Sequence, residues 1–138
     1  MNKRKKTDEI IVHCTATKEG VPVTTAQITT WHKKRGFVTI GYHYVIYLDG
    51  SIHAGRGEAY VGAHCTNHNS RAVGVCYVGG LDKQGRPKDT RTEAQKKALL
   101  SLLKELKRRY PKATIHGHRE FANKACPCFD ARKEYSNL

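Results

Sequence analysis

The stretch TEAQKKALLSLLKELKRRYPKATIHGH, residues 92–118, contains the clearest local signal in the sequence. Thr92 and Gln95 have the spacing of a capping box, in which two side chains accept backbone N–H groups at a helix N-terminus. Apolar residues then recur every three or four positions, as on a helix face that packs on a core: Ala98, Leu99, Leu102, Leu103, Leu106 and Tyr110. The helix is predicted to end before Pro111, and the residues after it to form a short strand.

Three further segments carry strand patterns. EIIVHCTAT at 9–17 opens with a β-branched apolar run that is typical of a buried strand, and this strand is expected to end near His13. GYHYVIYLDGSIHAGRG at 41–57 predicts a β-hairpin that turns at Asp49-Gly50, a favoured turn pair. RAVGVCYVGG at 71–80 predicts another short strand closed by paired glycines.

A second helix is predicted between the first strand and the hairpin. In VPVTTAQITTWHKKRG at 21–36, Thr24 or Thr25 is a suitable N-cap and Gly36 a suitable stop. Trp31 lies inside this helix and is expected to pack in the core rather than to form a platform for a sugar.

The alternation of strands and helices predicts an α/β fold in one domain, with a mixed central β-sheet flanked by helices. The chain of 138 residues is the size of one ordinary domain. We assign residues 1–138 to it, with 1–8 as a basic N-terminal extension and 132–138 as a C-terminal tail.

The composition favours a soluble protein with an anionic partner. Hydrophobic residues make up 38% and charged residues 27% of the chain, and the formal net charge is +13. Such a charge attracts nucleic acid, a membrane surface or an anionic cell-wall polymer. No apolar run reaches the roughly 20 residues of a membrane span, and the N-terminus lacks the apolar core of a signal peptide. We therefore expect the protein to be synthesised in the cytoplasm. We also expect it to be a monomer.

Candidate metal ligands stand where the predicted strands end. The five cysteines are an odd number, which favours reduced thiols that are free to bind metal or to be buried. His13, one of His116 and His118, and Cys126 would supply two imidazoles and a thiolate, a donor set that zinc accepts in catalytic sites. No compact metal-binding motif is present, so these residues are equally compatible with ordinary strand histidines and a buried thiol.

Several stretches together resemble the zinc-dependent N-acetylmuramoyl-L-alanine amidases of the type 2 class, a family that includes phage lysozyme-type amidases and peptidoglycan recognition proteins. They run in family order through nearly the whole chain: IIVHCTAT, GYHYVIYLDGSIHAGR, VGAHCTNHNSRAVGVCYVGG, TEAQ and HREFANKACPCFD. The resemblance implies that His13, His118 and Cys126 bind zinc. Because recognition-only members commonly lose a ligand, the complete set implies an enzyme.

The resemblance also assigns the remaining site residues. It implies catalytic roles for Tyr42 and Lys124, which would stabilise the oxyanion or hydrogen-bond the attacking water. It places His64 and Asn69 on a loop that contacts substrate, while His43 is expected to be a core histidine or to support the site.

Some neighbouring residues leave alternatives open. His116 is predicted to share a strand face with His118 and could replace it as ligand. Asp130 could replace Cys126, as an aspartate does in some relatives. Cys128 is interpreted as a packing thiol rather than as the redox partner of Cys126.

The implied reaction is hydrolysis of the amide between the lactyl group of N-acetylmuramic acid and L-alanine of peptidoglycan. The enzyme would act on the cell wall after release, as in a phage or prophage, or on cytoplasmic muropeptides. The alternatives are a non-catalytic peptidoglycan-binding module and a regulator that binds nucleic acid or a polymerase. No nucleic-acid-binding motif supports the second alternative.

Overall fold

The computed structural model describes all 138 residues and contains seven β-strands and three α-helices. The strands are β1 (Glu9–Cys14), β2 (Thr17–Lys18), β3 (Tyr44–Ile46), β4 (Ile52–Ala54), β5 (Ala72–Tyr77), β6 (Gly80–Leu81) and β7 (Thr114–Gly117). The helices are α1 (Thr25–Lys34), α2 (Glu93–Arg109) and α3 (Ala131–Glu134), with 3-10 turns at Asn69–Arg71 and His118–Glu120. None of the helices combines the length and the apolar character that crossing a membrane requires.

Five strands form the main sheet in the order β4-β3-β5-β1-β7. All neighbours are parallel except β3 and β4, which form the antiparallel hairpin that Asp49-Gly50 predicts. β2 and β6 pair separately as a small parallel ribbon. The mixed sheet confirms the fold class that the alternation of patterns indicated.

The alternation of side chains along β1 positions the site. Ile10, Val12 and Cys14 belong to the main core beneath α2, whereas Ile11 belongs to a small cluster on the opposite face. His13 shares the face of Ile11, because successive side chains of a strand point to opposite sides. The histidine therefore stands at the end of a central strand on the face that α2 leaves uncovered.

The two long helices cover opposite faces of the sheet. α2 begins with the predicted Thr92–Gln95 capping box and buries its leucine stripe in the main core. α1 has an equivalent capping box at Thr24 and Gln27, and its Ile28 packs against Val45 of β3. Both helix starts agree with the sequence prediction.

Trp31 corrects one expectation about α1. The buried residues of this helix are Ile28 and His32, which are four positions apart and so lie on one face. Trp31 lies outside that face and is 42% exposed. The prediction that it packs in the core is wrong, because its position on the helix directs it toward solvent.

Both ends of the chain contact the domain. Val61 N–H donates to the carbonyl of Asn2, and Arg4 N–H donates to the carbonyl of Ala59. At the other end, Tyr135 is buried in the main core. The segments assigned as extension and tail are therefore attached along the surface of the sheet domain and in its core, respectively.

Arg91 fastens α3 to the loop before α2. Its side chain is only 2% exposed and bonds to Asp89 at 2.9 Å and to Glu134 at 2.8 Å. The guanidinium also lies 3.4 Å from the centroid of the Phe129 ring. These contacts hold the segment that follows Cys126 against the body of the protein.

We expect Arg91→Met to lower the unfolding free energy by about 2–3 kcal/mol, less than for a fully enclosed pair because both carboxylates are partly exposed. Thermal denaturation should show a fall in Tm of roughly 5–10 °C. Arg108→Met is the matched control, since Arg108 pairs with Glu105 on the exposed surface of α2. An equal Tm for the two variants would contradict the structural role of Arg91.

Candidate active site

Three potential metal ligands from distant parts of the chain meet at the carboxyl-terminal ends of β1 and β7. His13 is in β1, His118 opens the 3-10 turn after β7, and Cys126 lies in the following loop. One ligand atom of each lies within 4.8 Å of the other two. His13 Nδ1 is 3.9 Å from Cys126 Sγ, near the roughly 3.5 Å expected between nitrogen and sulfur ligands of tetrahedral zinc. The donor set and its spacing fit a zinc ion.

The alternative ligands His116 and Asp130 lie outside this cluster. β7 ends one residue before His118, so the two histidines do not share the strand face that the sequence predicted. His116 Nδ1 is 2.9 Å from a carboxylate oxygen of Glu120. Asp130 accepts the backbone N–H of Lys133 at the start of α3. Both side chains are engaged elsewhere.

The ligand cluster opens into a cavity of about 410 Å³. Tyr42 and Lys124 line it together with the three-residue stretch Cys14–Ala16, residues of the 63–69 loop, and the aromatic rings of Phe37 and Phe121. The charged side chains on its wall, Arg35 and Lys124, are both basic, and no acidic residue lines it. The cavity therefore favours a substrate or a transition state that carries negative charge.

Tyr42 lies beside His13, with ring centroids 5.1 Å apart. Burial, with smaller contributions from the nearby thiols of Cys76 and Cys126, raises the pKa of Tyr42 well above its ordinary value. The phenol consequently keeps its proton at neutral pH and remains a hydrogen-bond donor beside the cavity.

The histidines of the cluster are in the state that metal binding requires. Burial, reinforced by the neighbouring His64, His118 and Lys124, lowers the pKa of His13 well below its ordinary value. Burial and Lys124 likewise lower the pKa of His118. Both imidazoles are neutral near pH 7, so a metal ion would not have to displace a proton from either.

His64 and Asn69 lie near the two ends of the 63–69 loop. Nδ1 of His64 lies 2.8 Å from Nε2 of His13. The side-chain oxygen of Asn69 accepts the backbone N–H groups of His64 and Cys65, at 2.8 and 2.9 Å. Both residues line the cavity, and Asn69 also shapes the loop that carries His64.

The loop that carries Cys126 is held at several points. The Cys14 N–H donates to Cys126 Sγ at 3.2 Å, and the buried Tyr77 hydroxyl donates to the carbonyl of Pro127 at 2.6 Å. Cys128 Sγ lies 3.2 Å from the carbonyl of Gly80 and belongs to the margin of the main core. Cys128 is therefore a packing thiol, as predicted.

Two histidines support the segment before β3 that carries Tyr42. His43 is buried and accepts the Gly74 N–H at 2.9 Å, which agrees with its prediction as a core residue. His32, for which the sequence suggested no role, accepts the Gly41 N–H at 2.8 Å with its Nδ1 atom. Its burial on α1 beside Ile28 is the periodic signal that could have indicated a structural role.

The mixed sheet carries a His-His-Cys cluster at the carboxyl-terminal ends of β1 and β7, and this donor set is one that catalytic zinc sites use. Comparison with known sequences identifies the family: the profile of Amidase_2, described as N-acetylmuramoyl-L-alanine amidase, matches residues 3–129. The chain belongs to this family.

Individual relatives agree with this assignment. The endolysin of Klebsiella phage KP32 is 47% identical over 131 residues, which cover 95% of this chain and 87% of the relative. Among solved structures, the N-acetylmuramoyl-L-alanine amidase LysC from Clostridium intestinale URNW matches with a TM-score of 0.80 and 29% identity, over 94% of this chain and 81% of that one. Drosophila PGRP-LB has a TM-score of 0.81 over 100% of this chain and 84% of its own, but at 23% identity it shows the fold alone.

These findings confirm the family, the fold class and the enzymatic activity inferred from the sequence. The chain is an N-acetylmuramoyl-L-alanine amidase, and it acts on peptidoglycan. The family is typically zinc-dependent, and the His-His-Cys cluster is present. The roles of the individual site residues remain predictions.

Proposed function

We propose that the chain hydrolyses the lactyl–L-alanine amide of peptidoglycan with a zinc ion held by His13, His118 and Cys126. The observation that carries the proposal is the convergence of these three side chains beside a basic cavity whose wall includes His118 and Cys126. The endolysin relatives support the cell wall as the place of action.

When bound at this cluster, zinc would supply Lewis acidity, which polarises an amide carbonyl and makes water a stronger nucleophile. Two neutral imidazoles and one thiolate would leave the site with a net positive charge. The backbone N–H of Cys14 donates to Cys126 Sγ and would stabilise this sulfur as a zinc-bound thiolate. The protein's part is to hold these three donors in place before substrate arrives.

Tyr42 and Lys124 are proposed to act on the reacting amide itself. The Tyr42 hydroxyl, kept protonated by its environment, donates a hydrogen bond to the oxygen that becomes negative as the carbonyl is attacked. Lys124 lies on the cavity wall and adds a positive charge near the same oxygen. Both interactions strengthen as charge develops, so they lower the barrier rather than tighten binding of the substrate.

Substrate binding is proposed to use the 63–69 loop and the basic wall. His64 and Asn69 lie near the two ends of this loop, and Arg35 lies on the wall of the same cavity. The Arg35 guanidinium lies 4.9 Å from the centroid of the Phe37 ring. A peptide with carboxylate groups suits this surface.

The products of digestion test the proposed bond. Cleavage of the lactyl amide creates a new α-amino group on L-alanine and a new carboxylate on N-acetylmuramic acid. Purified peptidoglycan should therefore release free stem peptides with N-terminal L-alanine and no new reducing ends, as measured by amine labelling and mass spectrometry. New reducing ends, or peptides that begin at a later residue, would contradict the proposal.

The charge of +13 predicts a difference between polymeric and small substrates. Salt screens surface charges beyond about 10 Å at 0.1 M. Rising salt should weaken binding to whole sacculi more than it slows hydrolysis of small soluble muropeptides, as shown by pelleting and by product release. Equal salt sensitivity on both substrates would mean that the basic surface does not concentrate the enzyme on the wall.

A further inference from the structure

We propose that His64 is a positioning residue for His13: it fixes which nitrogen of the His13 ring faces the metal ligands. This inference rests on the proposed zinc site and adds a residue that acts through a ligand. It differs from the substrate contact that the family resemblance implies for His64.

The geometry of the two rings separates the two nitrogens of His13. Its Nδ1 atom faces Cys126 Sγ at 3.9 Å, and its Nε2 atom lies 2.8 Å from Nδ1 of His64. A neutral imidazole carries one N–H, so a lone pair on Nδ1 requires the hydrogen on Nε2. His64 Nδ1 is placed to accept that hydrogen. Ligand histidines commonly donate their second N–H to such a partner, which fixes tautomer and ring orientation.

The requirement for a lone pair on His13 Nδ1 decides between the two possible directions of this hydrogen bond, and the other nitrogen of His64 does not. Accepting at Nδ1 puts the hydrogen of His64 on Nε2, and this atom is buried without a hydrogen-bond partner. The opposite arrangement, with His64 donating, would leave the same atom unpartnered and would also protonate His13 Nδ1, which could then bind no metal.

Two glycines form a slot for the His64 ring. A Cβ atom at Gly74 would lie 2.7 Å from the ring, and one at Gly62 would lie 2.6 Å from it. Both distances are too short for any residue with a side chain, unless the ring moves. The Asn69 oxygen fixes the backbone of His64 from the other side. The ring is therefore held in one orientation, as a positioning role requires.

The test compares His64→Leu with His64→Asn in the purified full chain, without substrate. Leucine removes the acceptor, whereas the Oδ1 atom of asparagine occupies nearly the position of Nδ1. Competition with a chelator should show zinc binding about 10- to 100-fold weaker for the leucine variant. The asparagine variant should regain most of the affinity. With Co²⁺ in place of zinc, the visible spectrum should change for leucine and resemble that of the wild type for asparagine.

Two further variants keep the test decisive. His53→Leu removes an imidazole of β4 that stacks on Tyr47 and bonds to Ser51, away from His64 and His13, so it should keep zinc affinity. If His64→Leu does not fold, His64→Gln replaces it. The amide group of glutamine extends beyond the Nδ1 position, so no acceptor remains there.

The outcomes separate the inference from the proposed function. Wild-type zinc affinity in His64→Leu, equal weakening in the asparagine variant, or equal weakening in His53→Leu would overturn the positioning role while leaving the zinc site intact. Unchanged affinity with a raised KM would instead assign His64 to substrate. Absence of zinc binding by the wild-type chain would overturn both.

Discussion

Alanine at His13, His118 or Cys126 is expected to remove both the bound zinc and the amidase activity. The three ligand atoms lie within 4.8 Å of one another and belong to three separate segments. A catalytic zinc has only three protein ligands, so the loss of one leaves too few to retain it. The purified wild-type protein should contain about one zinc per chain by elemental analysis, and each variant almost none.

His116→Ala is the matched control for this experiment. It removes an imidazole two residues from His118 whose nitrogens contact Thr114 and Glu120 outside the cluster. The variant should keep its zinc and its activity on peptidoglycan. Full zinc occupancy in His118→Ala, together with loss in His116→Ala, would exchange the roles of the two histidines.

Local signals predicted several elements of the fold, including the strand that carries His13. The apolar run before His13, the capping box at Thr92 and the Asp49-Gly50 turn each act through neighbours in sequence, and each is present in the structure. The alternation of predicted strands and helices along the chain, together with the family motifs, predicted the mixed α/β fold class. Trp31 was misplaced because an apolar residue in a helix indicates burial only when it lies on the face that packs, and the pattern of α1 is short.

The contacts around the ligands could not be predicted from patterns. His64 is 51 residues from His13, and the 2.8 Å contact between their rings exists only because β1 and β5 pair with Ile11 opposite Gly74. The absence of a side chain at Gly74 then makes room for the His64 ring. A glycine in a strand pattern indicates a close approach, but it does not identify the group that approaches.

Tyr42→Phe should keep zinc and lower kcat by about 100- to 1000-fold, the usual effect of losing one oxyanion donor. The substitution removes only the hydroxyl, so the ring can still pack beside His13 and His32. Because the hydrogen bond strengthens as charge develops on the oxygen, KM should change little. The measurements are zinc content, kcat and KM on a soluble muropeptide.

Two further variants, Lys124→Ala and Tyr44→Phe, test whether the loss of kcat in Tyr42→Phe comes from a lost contact with the reacting amide. Lys124→Ala should also keep zinc, and its loss in kcat should exceed that of Tyr42→Phe if a full charge offsets the oxyanion. Tyr44 packs against the main core, on the face of the sheet away from the site, and its hydroxyl donates to Glu58, so Tyr44→Phe should leave kcat unchanged. Wild-type kcat in Tyr42→Phe would remove the catalytic role. Tyr42 would then serve only to pack against His13, and the negative charge of the transition state would have to be met by Lys124 and the metal.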